Sequence, residues 1–312
     1  MAVPEESKIA VLIPCYNEEL TIGKVIDDFR RELGSATIYV FDNCSTDATA
    51  AIAIERGAVV IKEPRKGKGF VVENMFDSVD ADIYVMVDGD DTYPAESVNE
   101  LISPILAEEA DMVVGARLGN YDDKSFRRLH VFGNNLVCRL VNLLGRARLT
   151  DIMSGYRAFS RRAVDRIPVV STGFEIETEM TIQVLYYKMK AVEVDVPYRG
   201  RPHGSESKLR TFSDGFRVLW KIFSLFRSLK PLTFFGSVGL VFLFLGLLAG
   251  AVPIHDYFSN PNHYVEHVPL AILATGLIVL SGGSVFLGIL LHAINWRFWE
   301  LHNIVTRRRR LP

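Results

Sequence analysis

Two stretches near the C-terminus, residues 231–254 and 268–291, run for 24 residues each without one charged side chain. About 20 apolar residues suffice to cross a bilayer as a helix. A backbone in hydrocarbon must satisfy its own polar groups, so such segments can only be helices. The end of the chain is therefore expected to be a transmembrane hairpin, in keeping with 49% hydrophobic residues overall. The loop between the runs holds Asp256 and Glu266 but no Lys or Arg, whereas the outer flanks are basic and end in Arg307 to Arg310. The positive-inside rule then predicts an integral membrane protein with both termini and the N-terminal region in the cytosol. The arginine run suits anionic headgroups. With no charge inside either run, nothing suggests a pore. Gly236, Gly239, Gly282 and Gly283 raise the expectation of a homo-oligomer formed through the spans.

Ahead of the hairpin, residues 211–230 place Phe212, Phe216, Leu219, Trp220, Phe223 and Phe226 at helical spacing, with Arg217, Lys221, Arg227 and Lys230 interspersed. A basic amphipathic helix beside a span is expected to lie in the membrane interface. The net charge of −2 provides no general basic field for nucleic acid, and none is expected as a partner. Cys15, Cys44 and Cys138 lack CxxC spacing, so neither a disulfide framework nor a zinc site is expected. The opening MAVPEESK lacks a basic stretch followed by an apolar one, so no signal peptide is read there.

Residues 8 to about 115 alternate short apolar runs with amphipathic stretches. Strands are predicted at KIAVLIP, ATIYVFD, AVVIKE, DIYVMVD and ADMVVGAR. Helices are predicted over 18–33, 47–56, 69–79 and 95–108. This alternation implies an α/β domain with a mostly parallel, doubly wound sheet, whose ligands sit beyond the carboxyl ends of the strands. The polar clusters fall there: 14–18, 42–47 and 88–91. Further on, 126–144 reads as a helix and VEVDVPY (192–198) as a strand.

The last of those clusters carries the chemistry. In VMVDGDDTYP, a buried run ends in Asp88, Gly89, Asp90 and Asp91. Carboxylates packed this closely repel one another and call for positive charge, most simply a divalent cation. Gly89 lets the chain bend so that Asp88 and Asp90 face one point. An Asp-x-Asp pair there suits Mg²⁺ or Mn²⁺ carrying a diphosphate, with Asp88 and Asp90 as the ligands.

Together these segments resemble the inverting glycosyltransferases of the GT-A type, more narrowly the polyprenyl-phosphate sugar synthases. IPCYNEE (13–19) is similar to the family's nucleotide-binding start, DNCSTDAT (42–49) to its Asp-Asp-x-Ser-x-Asp-Gly-Thr block, and DGDDTYP to its metal block. Asn43, Ala48 and Thr92 depart from the pattern. DIMSGYRAF, GFEIETEM and RPHGSESKL resemble later segments of the same group. The resemblance covers most of residues 8–210, and the paired spans resemble its two-span branch. The domains implied are a cytosolic GT-A (Rossmann-like) glycosyltransferase domain at 1–210, an interface helix at 211–230, a hairpin at 231–292 and a basic tail at 293–312.

The resemblance implies transfer of a hexose from a nucleotide diphosphate sugar, UDP favoured over GDP, to polyprenyl or dolichyl phosphate with inversion. The nucleotide falls to Pro14, Tyr16, Asn17, Glu18 and Asp42, carboxylates here accepting from ribose or base. Asn17 and Asp47 also read as helix caps, Asp47 above all. The leaving diphosphate is assigned to the metal on Asp88 and Asp90, with Gly89 in the same turn, and to Lys66 and Lys68 at a helix start. Arg117, Arg127 or Arg128, Arg201 and Lys208 are the candidates for the acceptor phosphate, since guanidinium forks match its oxygens. Asp91, or Glu175 and Glu177, is placed to orient acceptor or sugar. A polysaccharide synthase of similar fold would carry a QxxRW-like segment, which this sequence lacks. Removal of 211–312 is expected to spare nucleotide binding and abolish transfer to a long-chain lipid.

Overall fold

The computed structural model describes residues 7–118, 138–139, 141, 149–201 and 211–308. Strand β1 (Ile9–Cys15) leads to α1 (Ile22–Glu32), β2 (Thr37–Asp42) to α2 (Thr49–Glu55), and β3 (Val59–Lys62) to α3 (Lys68–Ser78). Next, β4 (Ile83–Met86) runs through a 3₁₀ turn at Ala95–Ser97 into α4 (Val98–Leu106) and β5 (Met112–Leu118). After it come β6 (Arg157–Ser160), α5 (Arg161–Val164), α6 (Ile176–Tyr186) and β7 (Ala191–Pro197). The chain ends in three long helices: α7 (Thr211–Leu229), α8 (Pro231–Ser259) and α9 (Val268–Arg308).

The seven strands form one sheet in the order β3-β2-β1-β4-β6-β5-β7. β1 lies parallel to both β2 and β4, and β2 parallel to β3. β6 is antiparallel to β4 and β5, and β5 and β7 are parallel. The mostly parallel expectation holds, with one reversed strand inserted. Two reversals leave β5 and β7 running the same way as β4. The carboxyl ends of β1, β2, β4, β5 and β7 thus share one edge with the amino end of β6. Every predicted site segment within the described residues emerges at that edge.

Alternation along β1 explains the two layers. Ile9, Val11 and Ile13 face the core beneath α1 and α4, together with Ile26, Phe29 and Leu101. Ala10 and Leu12 face the opposite core, with Val72 and Met75 of α3 and Met180 of α6. A strand buried on both faces reads as a continuous apolar run, as KIAVLIP does.

The chain divides into two compact units, Met1–Ile222 and Phe223–Pro312. The first includes more than half of α7. There Val218 and Ile222 are buried, while Phe216 and Trp220 are 68% and 59% exposed and stack on one another. α7 thus has two apolar faces, only one of them covered. In the second unit, α8 and α9 are long and apolar enough to cross a membrane, with 17% and 11% of their most apolar windows buried. They lie close together: a methyl on Gly239 would come within 2.8 Å of Val285, and one on Gly246 within 3.0 Å of Ile278. Ser284 donates to the Phe235 carbonyl across the pair at 2.9 Å. Gly239 therefore serves the hairpin's own packing.

Candidate active site

Three loops meet beyond β1, β2 and β3. Asn17, in the left-handed region at φ 55°, accepts from the Thr46 amide at 2.8 Å, and its own N–H donates to Ser45 Oγ. It ties the first loop to the second and caps no helix. Asp47 accepts from the Thr49 and Glu19 amides, so it braces the start of α2 against the first loop. Asp42, buried at the tip of β2, accepts from the Ser45 amide at 3.1 Å. The Glu18 carbonyl accepts from Thr21 and Ile22 and so starts α1. Tyr16 is exposed, with the Lys66 ammonium 5.8 Å from its ring centre. Pro14 pairs in register with Phe41 just below.

Asn43, which departs from the block it resembles, uses both ends of its amide. Its Nδ2 donates to the carbonyls of Glu63 and Arg65, at 3.1 and 2.7 Å, and its Oδ1 accepts from Gly67 N–H at 2.9 Å. An aspartate has no donor for those carbonyls. The side chain clasps the loop that delivers Lys66 and Lys68. Glu63, also buried, holds the same loop through Arg65 and Asn74. Hydrogen bonds from Arg65, against the opposing effect of burial, bring its carboxyl down to about 2.

Beyond β4, each acidic side chain meets a different cation. Asp88 accepts from Lys68 at 2.6 Å, and the same ammonium lies 2.7 Å from Glu177. Asp90 pairs with Arg201 at 2.5 Å and accepts from the Thr92 hydroxyl at 2.6 Å. Asp91, at φ 58°, pairs instead with Lys24 on α1 at 2.6 Å. The repulsion that suggested a cation is thus met in part by the protein's own side chains. Burial works to discharge Lys68, but Asp88 and Glu177 together raise its pKa well above the ordinary lysine value. Burial and then the Asp88 charge push the Asp90 carboxyl up, against Arg201 and Thr92. Asp88, Glu177 and Asp90 together outnumber Lys68 and Arg201, so negative charge remains in surplus around the turn.

Close packing fixes this turn. A methyl on Gly89 would sit 2.7 Å from Cys15 Sγ, and one on Gly155 2.3 Å from Asp88 Oδ2. Gly89 is required by that approach to Cys15. The Thr21 hydroxyl donates to the Gly89 carbonyl at 2.6 Å, joining the turn to α1.

Arg117, near the end of β5, forks onto Asp151 at 2.6 and 2.8 Å, with its guanidinium 5.6 Å from the Tyr198 ring centre. Arg128 and Lys208, with Arg127, His203 and most of the predicted helix 126–144, lie outside the described residues. The sites assigned to Lys68, Asp88, Asp90 and Arg201 are brought together; Asp91 is turned towards α1, and Arg117 is engaged by Asp151.

Comparison with known proteins bears on this arrangement. Residues 10–167 match the sequence profile described as glycosyl transferase family 2. The chain belongs to that family. Glycosyltransferase AglJ of Haloferax volcanii is 32% identical over 289 residues, covering 92% of this chain and 94% of its own. The dolichyl-phosphate hexose transferase of the same organism is 32% identical over 67% of this chain and 90% of its own. The fold is shared with glucosyl-3-phosphoglycerate synthase from Mycobacterium tuberculosis, solved in complex with Mn²⁺, UDP-glucose and phosphoglyceric acid. The TM-score is 0.57 at 24% identity, over 70% of this chain and 79% of the other.

This glycosyltransferase also uses residues that sequence reading passes over. Arg157 is fully buried at the head of β6. It donates to the carbonyls of Ser154 and Ile152 and to the Thr181 hydroxyl, and burial pushes its pKa down to about 10. It holds the 151–156 loop, and with it Gly155, against Asp88. Tyr93, buried just after the acidic turn, accepts from Ser154 Oγ and Gly155 N–H. Lys24 had no signal beyond being a charged residue on α1. Glu175 accepts from the nearby Gly173 amide, whereas Glu177 reaches Lys68.

The donor set fits a hard cation. Among the described residues no three His, Cys, Asp or Glu side chains surround one point. Two carboxylates with surplus negative charge suit Mg²⁺ or Mn²⁺, which commonly bind through one or two carboxylates and complete their shell with water and substrate phosphates.

Proposed function

We propose that this chain transfers a hexose from a nucleotide diphosphate sugar, with a UDP-sugar favoured, to polyprenyl or dolichyl phosphate with inversion at the anomeric carbon. One observation carries the reading: Lys68, from the donor-side loop, and Arg201, from the segment assigned to the acceptor, contact two carboxylates of one turn. The relative named a dolichyl-phosphate hexose transferase supports the substrate class.

In this reading the loops at Tyr16, Asn17, Glu18 and Asp42 hold the nucleoside. Asp88 and Asp90 would hold Mg²⁺ or Mn²⁺, which neutralises charge developing on the leaving diphosphate. Lys68 adds fixed positive charge: an ammonium has three donors, one more than Asp88 and Glu177 take. Arg201 and Arg117 attract the acceptor phosphate. An oxygen of that phosphate attacks the anomeric carbon as the bond to the nucleotide diphosphate breaks, and the leaving group departs with the electron pair. A phosphate monoester is largely dianionic at pH 7, its second pKa being about 6, so no strong protein base is needed. Asp91, paired with Lys24, is assigned to shaping the turn and α1. The exposed aromatic face of α7 lies in the membrane interface, and α8 and α9 anchor the enzyme with its catalytic unit in the cytosol. This raises the effective concentration of a lipid-bound acceptor.

The test is transfer from labelled UDP- and GDP-sugars to a polyprenyl phosphate in detergent with Mn²⁺ or Mg²⁺, beside Asp90→Ala. A labelled lipid from one donor, absent in the variant, supports the reading and names the sugar. UDP-dependent binding without any lipid product would point to another acceptor, and equal product from Asp90→Ala would sink the assignment of the turn.

A further inference from the structure

Helix α6 carries two buried carboxylates, Glu177 and Glu179, with different partners. Glu177 holds Lys68 at 2.7 Å. Glu179, 1% exposed, accepts from the Ser171 amide at 2.6 Å and from Gln183 at 2.8 Å, and pairs with Lys221 of α7 at 3.2 Å. The segment that Glu179 holds is the one backing the start of α3. Gly69 N–H donates to the Thr172 carbonyl at 3.2 Å. A methyl on Gly67 would meet Thr172 O at 2.1 Å, and one on Gly69 would meet Ser171 O at 1.8 Å. Gly67, at φ 141°, adopts a backbone open only to glycine. Lys68 sits between those two glycines, so residues 171–172 set where its backbone lies.

We propose that Lys221 and Glu179 are positioning residues for the donor site. Lys221 neutralises Glu179, Glu179 holds Ser171, and residues 171–172 fix Gly67 to Gly69 so that Lys68 presents its charge to the nucleotide diphosphate. The proposal rests on the role given to Lys68 above. Its physical basis is the cost of a buried carboxylate without its cation: the group is drawn towards water, which weakens its hold on the Ser171 amide. The helix whose opposite face is exposed and aromatic is in this way joined to the nucleotide loop, within one compact unit.

The experiment titrates UDP and GDP with Mn²⁺ into the detergent-solubilised full chain and follows hydrogen exchange at the Gly69 amide. Lys221→Met is expected to raise the nucleotide Kd about tenfold, within the usual range for coupled sites, and to speed exchange at Gly69. Lys221→Arg should restore binding to within about twofold, because it keeps the charge. Arg227→Met, on the same helix, should change neither readout. Lys221→Met combined with Glu179→Leu removes the buried charge together with the acceptor for Ser171, and so recovers part of the thermal stability yet leaves binding weak, which separates positioning from folding. Unchanged Kd and exchange in Lys221→Met, or full affinity in the double variant, overturns the proposal. Failure of the unmodified protein to bind either nucleotide overturns the donor-site reading, and this inference with it.

Discussion

The loops beyond β1 to β3 and those around β5 and β6 are held in different ways. In the first region, side chains bind the backbone of a neighbouring loop: Asn17 with Thr46, Asp47 with Glu19, Asn43 with three backbone groups of residues 63–67. In the second, guanidinium groups do the holding: half-buried Arg117 forks onto Asp151, and fully buried Arg157 gathers two carbonyls and a hydroxyl. A neutral hydrogen bond contributes about 1 kcal/mol net and is exchanged readily, whereas a buried group stripped of its charged partner costs several. Apart from the buried Glu63 with its Arg65 partner, the nucleotide side is thus built mostly from contacts that adjust, and the β5–β6 side from contacts that do not.

The largest expected effect follows from Arg157. Arg157→Leu leaves the Ile152 and Ser154 carbonyls without their donor in a buried site. A loss of about 3 kcal/mol is expected, or roughly 10 °C in melting temperature. A change of only a degree or two would break the contrast between the regions. A smaller effect is expected from Asn43→Asp, which keeps the acceptor for Gly67 and loses both donors. It should cost about 2 kcal/mol and weaken UDP binding, read by thermal melting and titration. Asn43→Asp with full nucleotide affinity would show that the clasp is dispensable. The smallest concerns Glu63, whose carboxyl is held at about 2 against an ordinary 4.5. A pKa depressed in the fold stabilises above the ordinary value and is lost as pH falls towards 2. Because its partner Arg65 is 49% exposed and the pair is screened by solvent, Glu63→Gln should lower stability by only about 1 kcal/mol at pH 7, and the difference from the unmodified protein should shrink between pH 4.5 and 2. A constant difference across that range would assign Glu63 a packing role only.

The same division decides what the sequence makes legible. Strands β1 to β4 are short apolar runs separated by clear helical periods, and their observed ends fall within about two residues of expectation. Asp88, Asp90, Lys68 and Arg201 come together because the strands they follow deliver their carboxyl ends to one edge. β6 escapes notice because it is four residues long and begins with a buried arginine. α6 escapes because Glu177, Thr178, Glu179, Thr181 and Gln183 are all buried, which erases the polar face that periodicity needs. The partners of Asp91 and Glu177 depend on side chains 67 and 109 positions away, Lys24 and Lys68, and spacing along the chain does not encode them. The Asp-x-Asp turn had suggested a metal as the simplest neutraliser; three protein cations share that task.

The two apolar faces of α7 carry a practical consequence for anyone wanting a water-soluble catalytic fragment. A cut at residue 210, the boundary suggested by the sequence, would remove Val218 and Ile222 from the core they fill and strip Glu179 of Lys221. The stop codon belongs after Ile222, with Phe216, Leu219 and Trp220 recoded to polar residues.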